Sequence, residues 1–280
     1  MHLSTLGFTG LAFLGSFGAG FLGALTGLGG GVVIVPLLTL ALGVDIRYAV
    51  GASLVSVIAT SAGAGAAYVR EGFTNIRVAM LLQIATTIGA LGGAYLAGLV
   101  PTSMIATVFG VVLLSSALFS VRSREQHSTS VPPDPLARRL RLDSSYPSAA
   151  GPRPYTVHRV PSGFLLMAIA GALSGLLGIG SGAVKVLAMD RAMRLPFKVS
   201  TTTSNFMIGV TAAASAGVYL RRGYLEPGLA MPVVLGALAG ATSGARFLHG
   251  AETRLLRWLF TAVIVALGVE MIVQGVSGRV

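Results

Sequence analysis

Apolar runs of 17 to 25 residues recur along almost the whole chain, parted by short polar punctuation. Each run is long enough to cross a hydrocarbon core of about 30 Å as a helix. Two stretches are too long for one ordinary span, roughly Phe8 to Gly43 and Ser162 to Leu195. Both are interrupted by glycine clusters, at Gly27-Leu28-Gly29-Gly30-Gly31 and at Gly178-Ile179-Gly180-Ser181-Gly182. Each glycine weakens a helix by about 1 kcal/mol relative to Ala. The pattern therefore predicts a full helix, a break, and a short helix in each stretch. Three ordinary spans follow in each half: about Tyr48–Val69, Ile76–Gly98 and Ser103–Val121, then Val199–Leu220, Pro227–His249 and Thr253–Gln274.

Residues Arg122 to Val160 break the apolar pattern. They hold six of the twelve prolines and seven of the twenty Lys/Arg, and read as a poorly ordered hydrophilic linker. This gives a first membrane repeat at 1–121, a linker at 122–160 and a second repeat at 161–280. Shifting the sequence by 151 places aligns Gly20–Leu99 with Gly171–Gly250 without a gap, and 21 of those 80 positions are identical. Twelve of the identities are Gly or Ala, but Ser53/Ser204, Thr60/Thr211, Tyr68/Tyr219 and Arg70/Arg221 are not. Internal duplication of this kind is characteristic of secondary transporters.

Composition narrows the class. Hydrophobic residues make up 54% and charged residues 10%, against about 25% charged in soluble domains. Thirty-eight glycines without a collagen period suit closely packed membrane helices. There is no cysteine, and His2, His127, His158 and His249 lack metal-ligand spacing, so no metal or other cofactor is expected. The net charge of +11 does not point to nucleic acid, because the basic residues sit in the linker or at the ends of apolar runs. If the short helices cross, fifteen Lys/Arg lie on the linker's side and four on the other; if they do not, the split is twelve to seven. The positive-inside rule favours the first, with five segments per repeat, repeats of opposite sense and a cytoplasmic linker. The expected fold is thus an all-α polytopic integral membrane protein of two inverted repeats.

Three constellations could carry function. Irregular backbone in a membrane is tolerated where protein or a water-filled cavity satisfies it. The short helices would aim N-terminal N–H groups at the breaks and suit a small anion, with Gly29, Gly30, Gly31, Gly180, Ser181 and Gly182 as binding residues. The same glycines also fit plain close packing of helices. Next come Ala49-Val50-Gly51-Ala52-Ser53 and the corresponding Ser200-Thr201-Thr202-Thr203-Ser204-Asn205. Ser53, Thr203, Ser204 and Asn205 offer uncharged donors to an oxyanion, or alternatively caps for their helix. Third is Lys185, where the other repeat has Ile34. A mid-membrane Lys costs roughly 2.5–3.5 kcal/mol, which an anionic substrate would offset. Snorkelling, or pairing with Asp190 or Glu270, remains open. Glu270 is a candidate for coupling to a proton or ion, although it lies near a helix end. Tyr68 and Tyr219 fit interface anchors. No catalytic triad, Walker A loop or HExxH motif is present, so an enzyme is not expected.

The two glycine motifs, the Ala49–Ser53 segment about twenty residues beyond the first, Val35-Pro36 and the central hydrophilic loop resemble the sulfite exporter TauE/SafE family of membrane permeases. That resemblance implies gradient-driven movement of sulfite, sulfonates or related organosulfur anions across the bacterial cytoplasmic membrane, with export the expected direction. The second half departs from the family pattern at Ser181, Lys185, Leu187 and Ser200–Ser204, close to the candidate site. A channel of the same build and a non-transporting assembly subunit are the alternatives. The partners expected are a small anion, the bilayer, a coupling proton or ion and, as an open option, a second copy of the chain.

Overall fold

The computed structural model describes residues 5–26, 30–70, 72–121, 134–148, 151–247 and 253–278. The first repeat comprises α1 (Thr5–Thr26), α2 (Gly31–Pro36), α3 (Ile46–Arg70), α4 (Ile76–Ala97) and α5 (Thr102–Val121). A short helix α6 (Pro135–Arg139) and a hairpin of β1 (Ser144–Ser148) and β2 (Gly151–Tyr155) follow. The second repeat comprises α7 (Val160–Leu177), α8 (Gly182–Leu187), α9 (Phe197–Arg221), α10 (Pro227–Phe247) and α11 (Thr253–Val276). Both short helices run on into a π-helical turn, Leu37–Ala41 after α2 and Ala188–Ala192 after α8. The expected break is present in the second repeat, the first falls largely on residues 27–29, outside the described residues, and the ordinary spans begin and end within about three residues of the sequence reading.

Among the described residues, four helices (α1, α4, α7 and α10) are long and apolar enough to cross a membrane. Their surfaces are inverted relative to a soluble bundle. On α4 the large apolar residues Met80, Ile84, Ile88 and Leu91 are exposed, while the buried face carries Ala85, Ala90, Gly93 and Ala97. Lipid solvates the large side chains, and small residues let backbones meet. A β-carbon added at Gly89, Gly93, Gly171 or Gly175 would overlap a backbone carbonyl across the α4–α7 contact. The same holds across α1 and α10 at Gly20, Gly236 and Gly240. Gly171 faces Thr86 and Gly89 faces Ala168; 151 residues away, Gly20 faces Ala237 and Gly240 faces Phe17. The two packings are thus the same contact made twice.

These contacts also set helix directions. Thr86 meets Gly171 and Ala90 meets Gly175, so α4 and α7 are parallel. Phe13 meets Gly236 and Phe17 meets Gly240, so α1 and α10 are parallel too. Gly275 lies against Ser103 and Thr107 while Gly268 lies against Leu113, so α5 and α11 are antiparallel. At the centre α3 crosses α9, with Ser61 against Gly209.

The linker corrects one expectation. Its described part is folded and carries a small two-stranded sheet in a chain that is otherwise helical. Ser144 pairs with Tyr155 and Ser148 with Gly151 in an antiparallel register. Asp134 caps α6 through Leu136 N–H and also accepts from Val160 N–H at the start of α7. Ala137, Leu142, Val157 and Val160 join Val78, Leu82, Met189 and Met193 in a second hydrophobic core beneath α4, α7 and α9. The composition concealed this because a few apolar residues, spaced far apart, suffice when the ends of membrane helices supply the rest of the core.

Candidate functional site

Gly31, at the described end of the first glycine cluster, meets the second break beside α3. In the second, Gly178 and Gly180 take φ of 68° and 69°, conformations that glycine adopts without a steric penalty. Ser181 shares the left-handed region at φ 44° and is held there by its hydroxyl, which donates to Ala170 O at 2.6 Å. In the first, Gly29 lies outside the described residues, whereas Gly30 is an ordinary right-handed N-cap. A β-carbon on Gly31 would stand 2.9 Å from Ser53 Oγ and 3.1 Å from Gly178 O, so the first repeat's short helix starts against the second repeat's break. Ser53 donates to Gly178 O at 2.9 Å, and Ser204 donates to Gly182 O at 3.2 Å. The two equivalent serines thus both hold carbonyls of the second break. A small cleft between Val32, Val112, Ser116, Ile179, Ser181 and Gly182 has room for about one water molecule.

Lys185 is fully buried. Its Nζ donates to Thr211 Oγ1 at 2.8 Å, while Glu270 accepts instead from Gln274 on α11. Thr211 in turn donates to Met207 O and accepts from Gln83 Nε2, which also donates to Thr87 Oγ1. A polar chain therefore links α8, α9 and α4. The sequence marked Thr211 only as the repeat partner of Thr60, and Gln83 carried no signal, since the corresponding position is Val234.

The remaining candidates are placed differently. Thr203 faces α4, where its hydroxyl accepts from Asn75 N–H at 3.1 Å. Asn205 is half-buried on α9. Glu270 is exposed on α11 and accepts from Gln274 Nε2. The Thr run does not cap its helix: the N-cap is Pro196, and Thr201 and Thr202 donate back to Phe197 O and Lys198 O. Tyr219, expected as an interface anchor, is instead 1% exposed and donates to Leu176 O, bracing the end of α7. The Tyr68 side chain lies outside the described residues.

Asn75 is a hub that the sequence did not reveal. Its Oδ1 caps α4 through Val78 N–H, while Nδ2 donates to Leu142 O and Tyr155 Oη. Two further hydroxyls near the breaks, those of Ser56 and Ser174, are buried without a hydrogen-bond partner. They are unspent donors of the kind an oxyanion uses.

The comparisons with known proteins agree with this architecture. Two Bacillus subtilis proteins are similar along most of their length. "Probable membrane transporter protein YunE" is 26% identical over 266 residues, covering 92% of this chain and 95% of that protein. "Probable membrane transporter protein YdhB" is 25% identical over 239 residues, covering 85% and 84%. A "Probable membrane transporter protein" of Xylella fastidiosa (strain 9a5c) is 26% identical over 271 residues, covering 92% and 93%. No solved structure matches the chain. The family model described as sulfite exporter TauE/SafE matches residues 12–271, and with the paired glycine breaks inside that range, the chain belongs to the sulfite exporter TauE/SafE family of membrane transporters.

Proposed function

We propose that this protein is a secondary transporter of small anions, with sulfite, sulfonates and related organosulfur anions the leading class, carried between the two glycine breaks. The bacterial cytoplasmic membrane is its place, with the linker on the cytoplasmic side. The observation that carries the reading is the juxtaposition of Gly31, Ser53 and Gly178. It brings a helix start from one repeat against the broken backbone of the other, beside a buried lysine. The substrate-binding residues on this reading are Gly30, Gly31, Ser53, Gly180, Ser181, Gly182, Lys185 and Ser204. Helix starts bring positive dipole ends to the site, and the hydroxyls supply uncharged donors. Ser53, Ser181 and Ser204 now donate to carbonyls, so substrate entry would exchange those bonds for bonds to oxyanion oxygens.

The helix directions support a reading of the two repeats as inverted. Short connections turn the chain back between α3 and α4 and between α4 and α5. Asn75 meets Thr203 and Gln83 meets Thr211, so α9 runs with α4, as α7 does. On these directions α1, α3 and α5 run one way, and their counterparts α7, α9 and α11 run the other. Because α1 and α3 point the same way, α2 must carry the chain back between them. Repeats of opposite sense around a central site allow one to rock against the other and expose it to each side alternately.

Proteoliposome flux tests this reading. Saturable uptake of radiolabelled sulfite or sulfoacetate that competes with other sulfonates is expected. Unsaturable conductance would make the protein a channel, and no flux across a panel of sulfur, carboxylate and phosphate anions would remove the transport reading.

A further inference from the structure

Lys185 sits in the first turn of the helical segment Gly182–Ala192, and it is out of place there on three counts. It is fully buried, although an ammonium has three protons to place and its one hydrogen bond is to Thr211 Oγ1. Thr211 has no further acceptor capacity to offer, because its second lone pair takes Gln83 Nε2–H and its own proton goes to Met207 O. The side chain also leans toward the N-terminus of its helix, as helical Cα–Cβ bonds do, which brings a cation to the positive end of the dipole.

The helices packed around it, α4, α5, α7 and α9, contain no Asp or Glu. Helices α5 and α7 contain no titratable residue. On α9, Lys198 lies over the Phe73 ring at the exposed start, Arg221 is exposed at the far end, and Tyr219 is bound to Leu176 O. On α4, Arg77 donates to Arg141 O and Tyr95 stacks under Arg222. In the π-helical turn, Asp190 and Arg191 lie five and six residues further along, about 7–9 Å down the axis and away from the direction in which Lys185 leans. A buried charge without a partner is among the costliest arrangements a protein can hold.

We propose that Lys185 is the charge switch of the transport site, a neutral amine when the site is empty and an ammonium when an anion is bound. This rests on the anion-transporter reading and adds the coupling to it. The balance is simple: amine, anion and one proton combine to an ammonium–anion pair, and release on the other side returns all three. A monovalent anion then moves together with one proton and no net charge. The switch belongs to one repeat alone, since Ile34 holds the corresponding place in the other. Thr211 and Gln83 act as positioning residues, holding the amine at the break while it has no charge to be held by.

The test uses methanesulfonate, which stays ionised at all working pH values, so any proton that moves is the protein's. Methanesulfonate added to purified full-length protein in weak buffer with an indicator dye should cause uptake of about one proton per anion bound, with binding followed separately by thermal stabilisation. In liposomes, methanesulfonate uptake should acidify the interior and be unchanged by a clamped membrane potential. Lys185→Met should lose the proton uptake and bind at least tenfold more weakly. Lys185→Arg, permanently charged, should bind the anion with no proton uptake. Stabilisation of the wild type without proton uptake, or proton uptake that survives in Lys185→Met, would overturn the switch while leaving the transporter reading intact. No stabilisation by methanesulfonate, ethanesulfonate or sulfite would overturn both.

Discussion

At the scale of single residues, the break is held by hydroxyl-to-carbonyl bonds that have no substitute nearby. Ser53→Ala leaves Gly178 O, a buried carbonyl, without its donor, and the expected loss is about 1–3 kcal/mol of stability. Thermal unfolding of the purified protein measures it, and Ser243→Ala, an exposed serine bonded within α10, serves as a comparison away from the break. Asn75→Ala should cost at least as much, because it removes the cap of α4, worth about 1 kcal/mol, together with two bonds to the linker. Trypsin cleavage in the linker, which is rich in arginine, should then accelerate roughly tenfold, whereas Asn75→Asp keeps the capping oxygen and should lie between. The chemistry of these residues was only partly legible in the sequence. Lys185 stood out because a cation within an apolar run is costly and needs something to offset it. Its partner Thr211 did not, since a hydroxyl in a membrane helix is ordinarily satisfied by the carbonyl four residues back, which Thr211 also uses. Asn75 was hidden because its partners Leu142 and Tyr155 lie 67 and 80 residues away.

At the scale of elements, glycines decide which helices touch. On α4, Gly93 meets the backbone of Ala172 while Gly92, one residue before, has nothing within 4 Å. Gly93→Ala should therefore push α4 and α7 apart at a cost of about 1–3 kcal/mol, and Gly92→Ala should leave the melting temperature unchanged or raise it. Equal effects at the two positions would mean that this packing does not hold the fold together. The helices were legible from apolar length, and the breaks from clustered glycines, because both depend on local chain properties. The linker hairpin was not, because its core is borrowed from α4, α7 and α9. That hairpin has its own signature in pH. Burial raises the Tyr155 phenol above its ordinary value, against the opposing bonds to Asn75 and Ser144. A group whose folded value is raised contributes its stability in full below the unfolded value, here near pH 10, and loses it as the pH climbs through the folded value. The linker should therefore be indifferent to acid on this account and loosen only in alkali. In an ultraviolet phenolate titration, Tyr155→Phe should remove a late-titrating component.

At the scale of the whole molecule, the duplication acquires a geometric meaning that no single helix has. The contacts of α4 with α7 recur between α1 and α10, and the short helices end alike. Val44 N–H donates to Leu38 O and, 151 residues on, Leu195 N–H donates to Met189 O, both at 3.0 Å. Opposed repeats require that these matching ends emerge on opposite sides of the membrane. Asp45 and Arg191, exposed residues close to the two ends, are suited to a test. The chain has no cysteine of its own, so one introduced thiol reports alone. In intact cells a membrane-impermeant maleimide should label Asp45→Cys at once. It should label Arg191→Cys, and Arg153→Cys in the linker, only after permeabilisation. Labelling of both short-helix ends from outside would place the repeats in the same sense, leaving α2 and α8 on one side of the bilayer. Two helix starts could not then approach the central site from opposite faces, and exchange of access between the repeats would have no structural basis.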